Sequence, residues 1–195
     1  QYGVYSELER HPVIDMSGSD GFALEMHGVV MTEPLSGMVF DKGMEGHESG
    51  TTAAKIDLTL VEFVSIGYGM NLAPRKGVTH TMVSSIMFGG NECRIECPPI
   101  QMLSISSRHG GRLRLKDNII TGALGGVAIM GSCSGFELWE DNLAIGNGVG
   151  YSIYPGKDRC ARLRLIAYRN SLGVATSGAD LSNVIAAENG VAVAP

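Results

Sequence analysis

The sequence LRLKDNII at residues 113–120, followed by GVAI at 126–129, indicates the fold class. Its first half alternates apolar and polar residues with a period of two, which is the pattern of a half-buried β-strand. The same arrangement returns three times: FELWEDNL and GYSI at 136–143 and 150–153, LRLI and GVAT at 163–166 and 173–176, and VI and GVAV at 184–185 and 190–193. Each unit reads as strand, asparagine, glycine and second strand.

The repeat length selects among repeat architectures. Asn118, Asn142, Asn170 and Asn189 are 24, 28 and 19 positions apart. Such a unit is too short for a propeller blade, and the spacing of leucine-rich repeats is absent, so it fits one rung of a parallel β-helix. We therefore predict an all-β, right-handed, single-stranded parallel β-helix of about eight rungs. Equivalent residues would stack about 4.8 Å apart, and the four asparagines are interpreted as a structural ladder at a sharp turn.

The two parts of the chain differ in regularity. Residues 1–54 are interpreted as irregular rungs with a loop rich in Gly, Glu and Ser at about 41–52, and residues 55–195 as regular repeats. No capping helix is visible at either end, and the last residues resemble a strand. The solenoid is therefore expected to be uncapped and to be a fragment of a longer chain. Flanking parts of that chain, or stacked copies, are the expected partners.

Composition excludes several classes of protein. The 195 residues include 27 glycines, are 44% hydrophobic and 18% charged, and carry a formal net charge of −5. That apolar content argues against a disordered chain. Scattered Lys and Arg give no footprint for nucleic acid, and no apolar run approaches the ~20 residues of a membrane helix. Neither nucleic-acid binding nor membrane insertion of this segment is expected. Motifs for phosphate binding or zinc hydrolysis are also absent, so no cofactor is predicted.

The spacing of the four cysteines indicates the redox state of the compartment in which the protein resides. Cys133 and Cys160 are 27 positions apart, close to one local repeat, which would stack them within disulfide distance. Cys93 and Cys97 form a C-x3-C pattern, for which we predict a second disulfide. Two disulfides favour an oxidising, extracellular setting. The alternative is a zinc site whose spacing matches no usual finger, so no metal is predicted. Its ligands would be Cys93, Cys97, His80 and His109.

Charged residues on one sheet face are the candidates for catalysis. Paired carboxylates could hydrolyse a glycosidic bond, and a carboxylate cluster with Ca²⁺ and a basic residue could eliminate across a uronate. A polysaccharide lyase or glycoside hydrolase is therefore one alternative function. The candidates are Arg114, Lys116, Asp117, Glu137, Glu140, Asp141, Arg164 and Asp180. Arg114, Glu137 and Arg164 align on successive repeats, however, and are interpreted as a ladder of alternating charge on a solvent face.

Three aromatic residues fall in one repeat. Trp139, Tyr151 and Tyr154 could form a platform on which a sugar ring stacks. A carbohydrate-binding module is thus a second alternative, with glycans as partners. Packing of these rings in the interior of the solenoid is the competing interpretation.

Residues 56–153 resemble the parallel β-helix region of the fibrocystin and fibrocystin-L family. There, a similar l-x-I-x-D-N-I-I run leads to G-I-x-I-W-G; here LRLKDNII leads to GVAIMG at 126–131, with Met130 in place of Trp. LVEF at 60–63 is similar to the family's v-E-F strand, but the following VSIGYG lacks the His-Ser-Gly-Gln type of turn. The resemblance covers about half of the chain, and some of its motifs are general to β-helices.

The resemblance implies a structural role and no catalytic activity. It implies a non-catalytic structural or adhesive module of a large extracellular protein, at the surface of a cell, cilium or flagellum. A filamentous assembly such as a flagellar hair is one setting that it implies. Related β-helices occur in cell-surface proteins linked to hyaluronan breakdown, but no catalytic motif of theirs can be matched to this sequence.

Overall fold

The computed structural model describes residues 23–32, 55–66, 70–72, 74, 76–89, 102–106, 110–131, 133–155, 160, 163–176 and 181–194. The predicted loop at 41–52 lies outside these residues, as do Cys93, Cys97, His109 and Asp180. The described residues form eighteen β-strands and one 3-10 turn, Cys133–Gly135, and contain no α-helix. The strands are β1 Ala23–His27, β2 Val30–Thr32, β3 Lys55–Thr59, β4 Glu62–Ile66, β5 Met70–Leu72, β6 Thr79–Val83, β7 Ile86–Gly89, β8 Leu103–Ser106, β9 Arg112–Lys116, β10 Ile119–Thr121, β11 Gly125–Gly131, β12 Phe136–Glu140, β13 Leu143–Ile145, β14 Val149–Pro155, β15 Leu165–Tyr168, β16 Leu172–Thr176, β17 Val184–Ala187 and β18 Val191–Ala194.

The strands form three parallel sheets. Sheet 1 has the order β1-β3-β6-β9-β12, sheet 2 the order β2-β4-β7-β10-β13-β15-β17, and sheet 3 the order β5-β8-β11-β14-β16-β18. Within each sheet, neighbouring strands come from successive repeats of the sequence. The predicted all-β class is confirmed. β1 and β2, from the region expected to be irregular, pair in parallel with β3 and β4.

Alternation of apolar and polar residues explains which face of each strand is buried. In β9, Leu113 and Leu115 are buried, whereas Arg112 and Arg114 are exposed. Stacking then aligns the buried residues in columns. The centre of sheet 2 is one such column, formed in register by Phe63, Met87, Ile120, Ala144 and Ala167. Sheet 3 contributes another, formed by Met70, Leu103, Val127, Tyr151 and Val174.

Left-handed residues make the corners between sheets. Corner 1, between sheets 1 and 2, has one such residue at each of its five passages, with φ between 46° and 62°: Gly28, Leu60, Ser84, Asp117 and Asp141. Corner 2, between sheets 2 and 3, has φ between 52° and 76° at Gly122, Gly146, Arg169 and Glu188. A single left-handed residue changes the chain direction sharply, so the next strand begins only a few residues after the previous strand ends.

Candidate functional site

A column of asparagines follows the left-handed residues of corner 2. The Asn147 backbone N–H and Nδ2 donate to Asn170 Oδ1 at 2.9 and 3.2 Å, and the corresponding groups of Asn170 donate to Asn189 Oδ1 at 2.8 and 3.0 Å. Each Nδ2 also donates, at 3.0 Å, to a carbonyl of the preceding strand of sheet 2. These asparagines therefore join successive repeats through both backbone and side chain.

A second column at corner 1 uses the same bonding. Asn118 Nδ2 donates to Asn142 Oδ1 at 2.8 Å, and the Ser85 N–H donates to Asn118 Oδ1 at 3.0 Å. The amides of Asn118 and Asn142 also donate to backbone carbonyls of sheet 1, at 2.8 and 3.0 Å. The Ser85 hydroxyl continues the column by accepting from the Val61 N–H at 3.2 Å. All three polar side chains are buried, so these bonds satisfy groups that water cannot reach.

The structure divides the predicted asparagine ladder between two corners. Asn118 and Asn142 stack at corner 1, whereas Asn170 and Asn189 stack at corner 2 with Asn147, which the sequence interpretation missed. Each corner has a left-handed residue, and in both columns the side chain that follows it forms hydrogen bonds with backbone N–H and carbonyl groups of neighbouring repeats. Asparagine can make these bonds at either corner. The 28-residue separation between Asn142 and Asn170 crosses from one corner to the other. The corner 2 column could have been predicted from the 23-residue separation between Asn147 and Asn170.

Glycines lie three residues after two asparagines of corner 2: Gly150 follows Asn147 and Gly173 follows Asn170. A Cβ atom at Gly150 would lie 2.5 Å from the Gly173 carbonyl oxygen and 2.9 Å from Asn170 Nδ2. A Cβ at Gly126 would meet the equivalent atoms, 2.6 Å from the Gly150 oxygen and 2.9 Å from Asn147 Nδ2. The spacing Asn-x-x-Gly therefore has a steric reason: the asparagine column occupies the space that a side chain would need.

Replacing Gly150 with alanine is expected to lower the free energy of unfolding by about 1–3 kcal/mol, because the added methyl group forces the backbone or the asparagine column to shift. Urea denaturation measures the change. Ser171→Ala is the matched control, since it alters an exposed side chain at the same corner and should change stability by less than about 0.5 kcal/mol. Equal effects of the two substitutions would contradict the close contact at Gly150.

Ion pairs occupy the charged outer face of sheet 1. Arg112 lies 2.9 Å from Glu137, and Lys116 lies 3.1 Å from Glu140. The hydrogen bond and negative charge of Glu140 raise the pKa of Lys116 above its ordinary value. These side chains are exposed, so each pair contributes little to stability.

The predicted charge ladder of Arg114, Glu137 and Arg164 does not form. An irregularity between Phe136 and Leu138 places Leu138 opposite Arg114. Glu137 pairs with Arg112 instead, and Arg164 pairs with Asp141 of corner 1 at 2.9 Å. A β-bulge shifts the register by one residue, which no period-two pattern reveals.

Three of the carboxylates proposed for catalysis are thus held by different cations. Glu137, Glu140 and Asp141 each pair with a separate basic residue. Within the part of the chain that the structure describes, no three His, Cys, Asp or Glu side chains are grouped so that they could hold a metal ion. The structure describes His80 as a buried residue of β6 in sheet 1, opposite Leu113.

The aromatic platform is divided between the interior and the surface. Tyr151 is fully buried, and its hydroxyl donates to the Asn142 carbonyl at 2.8 Å. Trp139 packs edge-on against Phe136 and Tyr151, at centroid distances of 5.2 and 6.3 Å. Tyr154 is 52% exposed. Residues three apart on one strand lie on opposite faces, so Tyr151 and Tyr154 cannot contact one sugar ring.

Tyr151 makes stability depend on pH in the alkaline range. Burial raises the pKa of its hydroxyl above the ordinary value of 10.0. Its contribution to stability is therefore complete below about pH 10 and declines as pH rises towards the folded-state pKa, by up to about 1.4 kcal/mol per pH unit. Urea denaturation at about pH 8 and about pH 11 should show that Tyr151→Phe loses less stability than the unmodified protein over this interval. Equal losses would contradict the assignment.

A disulfide joins successive repeats. Cys133, in the 3-10 turn before β12, is bonded to Cys160, with the Cα atoms 5.2 Å apart. Cys160 is buried against the hydrophobic core. The predicted pairing of Cys93 with Cys97, and the zinc alternative, rest on residues outside the described part of the chain and stay predictions.

None of the described residues belongs to a helix with the length and apolar character needed to cross a membrane. Comparison with protein-family models, with curated proteins and with solved structures finds no match.

Proposed function

We propose that the chain is a non-catalytic structural or adhesive module of a large extracellular, ciliary or flagellar-surface protein of the fibrocystin type. The observation that carries this proposal is the use of the buried amides. At both corners the buried asparagine side chains form hydrogen bonds between successive repeats. A stack that resists mechanical load requires such bonds between its repeats. The charged side chains of sheet 1, in contrast, pair with each other at the surface.

We further propose that the three sheets are the faces of a right-handed parallel β-helix. The chain passes from sheet 1 through corner 1 to sheet 2, and from there through corner 2 to sheet 3. Each sheet gains one strand per passage. Crossover connections between parallel strands are right-handed in about 98% of cases, which supports the handedness.

The extracellular setting and the partners are part of the same proposal. The Cys133–Cys160 disulfide is compatible with an oxidising compartment. At the β17–β18 end, Ile185 and Val191 are exposed beside strand edges whose backbone groups can pair. Flanking parts of a longer chain, or stacked copies in a filament, would cover this end, and glycans are the proposed surface ligands.

Incubation with polyuronates and with glycosaminoglycans, with and without Ca²⁺, tests the non-catalytic assignment. No product above the buffer background is expected, because Glu137, Glu140 and Asp141 each pair with a separate cation. Asp141→Asn and Lys116→Gln serve as the comparison variants. Product release by the unmodified chain that either variant abolishes would establish a lyase or hydrolase instead.

Secretion tests the proposed compartment. When the chain is expressed with a secretion leader, we expect material in the medium to contain two disulfides. Intact mass measured with an alkylating reagent, before and after reduction, counts the thiols. Four free thiols would contradict both the predicted Cys93–Cys97 pair and the extracellular setting.

A further inference from the structure

Two asparagines of the corner 2 column are followed directly by glycine, in the pairs Asn147–Gly148 and Asn189–Gly190. Asn-Gly is the dipeptide in which an asparagine side chain most readily forms a cyclic imide. Glycine has no side chain to hinder its backbone nitrogen, and it allows the backbone rotation that ring closure needs. The same reactive dipeptide thus occurs twice in one column, so the surroundings decide which copy reacts.

The reaction changes an amide into a carboxylate. The glycine backbone nitrogen loses its proton and attacks Cγ of the asparagine, so that a C–N bond forms and the Cγ–Nδ2 bond breaks. Ammonia leaves, taking up the proton that the glycine nitrogen lost. Water then adds to either carbonyl of the imide and opens the ring to aspartate or isoaspartate. One water is consumed and one ammonia is released, without an oxidant or a reductant.

Repeats on both sides hold the Asn147–Gly148 pair. The Gly148 N–H donates to the Ala123 carbonyl at 2.9 Å, and Asn147 Nδ2 donates to the Ile120 carbonyl at 3.0 Å. The flanking strand β13 lies between β10 and β15, and β14 lies between β11 and β16. The asparagine is only 3% exposed. Its leaving group and the attacking nitrogen are both hydrogen-bonded, so the reaction requires the stack to open in its interior.

The Asn189–Gly190 pair makes similar bonds but has a neighbouring repeat on one side only within the described residues. The Gly190 N–H donates to the Asn170 carbonyl, and Asn189 Nδ2 donates to the Ala167 carbonyl, each at 3.0 Å. In the described part of the chain, β17 pairs with β15 alone and β18 with β16 alone. Asn189 is half-buried, and Val191 at the start of β18 is 53% exposed. Strands paired on one side open at a lower free-energy cost, so the reactive groups of this pair are free more often.

We propose that Asn189 is a site of spontaneous deamidation and that the repeats on both sides of Asn147 protect it from the same reaction. The product carboxylate has no N–H to donate to the Ala167 carbonyl, and isoaspartate routes the backbone through Cβ, one carbon longer, just before β18. Either product removes the last described asparagine from the column and weakens the attachment of the final described repeat.

This modification goes beyond the proposed structural function and does not depend on it. A further repeat or a stacked copy over β17 and β18 would give Asn189 the surroundings that Asn147 has. The rate of deamidation therefore also measures how well this end of the stack is covered.

Peptide mapping by mass spectrometry tests the proposal on the unmodified 195-residue chain. Dilute folded protein and protein unfolded in urea are incubated at mildly alkaline pH in heavy-oxygen water until both pairs have reacted in the unfolded sample. Heavy oxygen in the product marks deamidation that occurred during the incubation. In the folded sample Asn189 should deamidate at least about tenfold faster than Asn147, because a reaction confined to the open state follows the population of that state. In urea the two rates should be similar.

Asn189→Gln is the control for the assignment of the site, since its longer side chain forms an imide ring slowly and the peptide should keep its mass. Circular dichroism checks that this variant is folded. A reaction in that peptide at the unmodified chain's rate would place the reaction at another residue and overturn the proposal. Equal rates at Asn147 and Asn189 in the folded sample, or a faster reaction at Asn147, would also overturn it. So would an Asn189 that reacts in urea but stays unmodified in the folded chain, because the final described repeat would then be as closed as the interior.

Discussion

Replacing Asn170 with alanine is expected to lower the free energy of unfolding by about 3 kcal/mol. The side chain is buried and makes four hydrogen bonds: its Oδ1 accepts from the N–H and Nδ2 of Asn147, and its Nδ2 donates to Asn189 Oδ1 and to the Ala144 carbonyl. After the substitution Asn147 Nδ2 keeps its bond to the Ile120 carbonyl, and Asn189 Oδ1 keeps its bond from the backbone N–H of residue 170. The buried Asn147 N–H loses the Oδ1 acceptor and the Ala144 carbonyl loses the Nδ2 donor, at about 1–3 kcal/mol for each buried group that is left unpaired. Urea denaturation followed by circular dichroism gives the free energy.

Asn183→Ala is the control for this prediction. Asn183 is exposed, and the contact that involves it, from the Leu165 N–H, is to its backbone carbonyl, so removing its side chain should change stability by less than about 0.5 kcal/mol. A loss at Asn170 no greater than at Asn183 would mean that the corner columns do not hold the repeats together.

Replacing both Cys133 and Cys160 with alanine should lower the free energy of unfolding by about 3–4 kcal/mol. The bond closes a loop with a sequence separation of 27 residues, and the loop-closure entropy that it removes from the unfolded chain corresponds to this range. Alanine avoids placing a hydroxyl at the buried Cys160 position. The measurement is urea denaturation without reductant, and adding reductant to the unmodified protein should reproduce most of the loss.

The Cys93→Ala/Cys97→Ala variant gives an internal comparison. A disulfide between these residues would close a much shorter loop, whose removal should cost about 2 kcal/mol in the same entropy relation. A loss at Cys133/Cys160 below about 1 kcal/mol would contradict the view that this bond restrains successive repeats.

Repeat spacing and alternation were sufficient to predict the strand class, the parallel pairing and one disulfide. The period-two pattern of 113–115 predicts buried Leu113 and Leu115, and both are buried in β9. The pattern does not identify the sheet to which a strand belongs. The LRLI motif at 163–166 resembles β9, yet β15 begins at Leu165 and belongs to sheet 2. Any strand with one buried face shows the same alternation, so sequence cannot separate the three sheets.

The candidate site was harder to predict than the fold. Asn147 lies in the glycine-rich run GNGVG and is a member of the corner 2 column, and its role follows only from the Asn-x-x-Gly spacing shared with Asn170 and Gly173. The irregularity near Glu137 depends on the pairing between strands, which the local sequence does not contain. The opposite faces of Tyr151 and Tyr154 could have been predicted from their odd separation.

A double-mutant cycle between asparagines tests the two-column arrangement most directly. Alanine substitutions at Asn147 and Asn170, singly and together, should give a coupling free energy of about 1 kcal/mol or more, because these residues share two hydrogen bonds. The same cycle for Asn142 and Asn170, which belong to different corners, should give less than about 0.5 kcal/mol. Strong coupling of Asn142 with Asn170, and none between Asn147 and Asn170, would contradict the account and favour a single ladder.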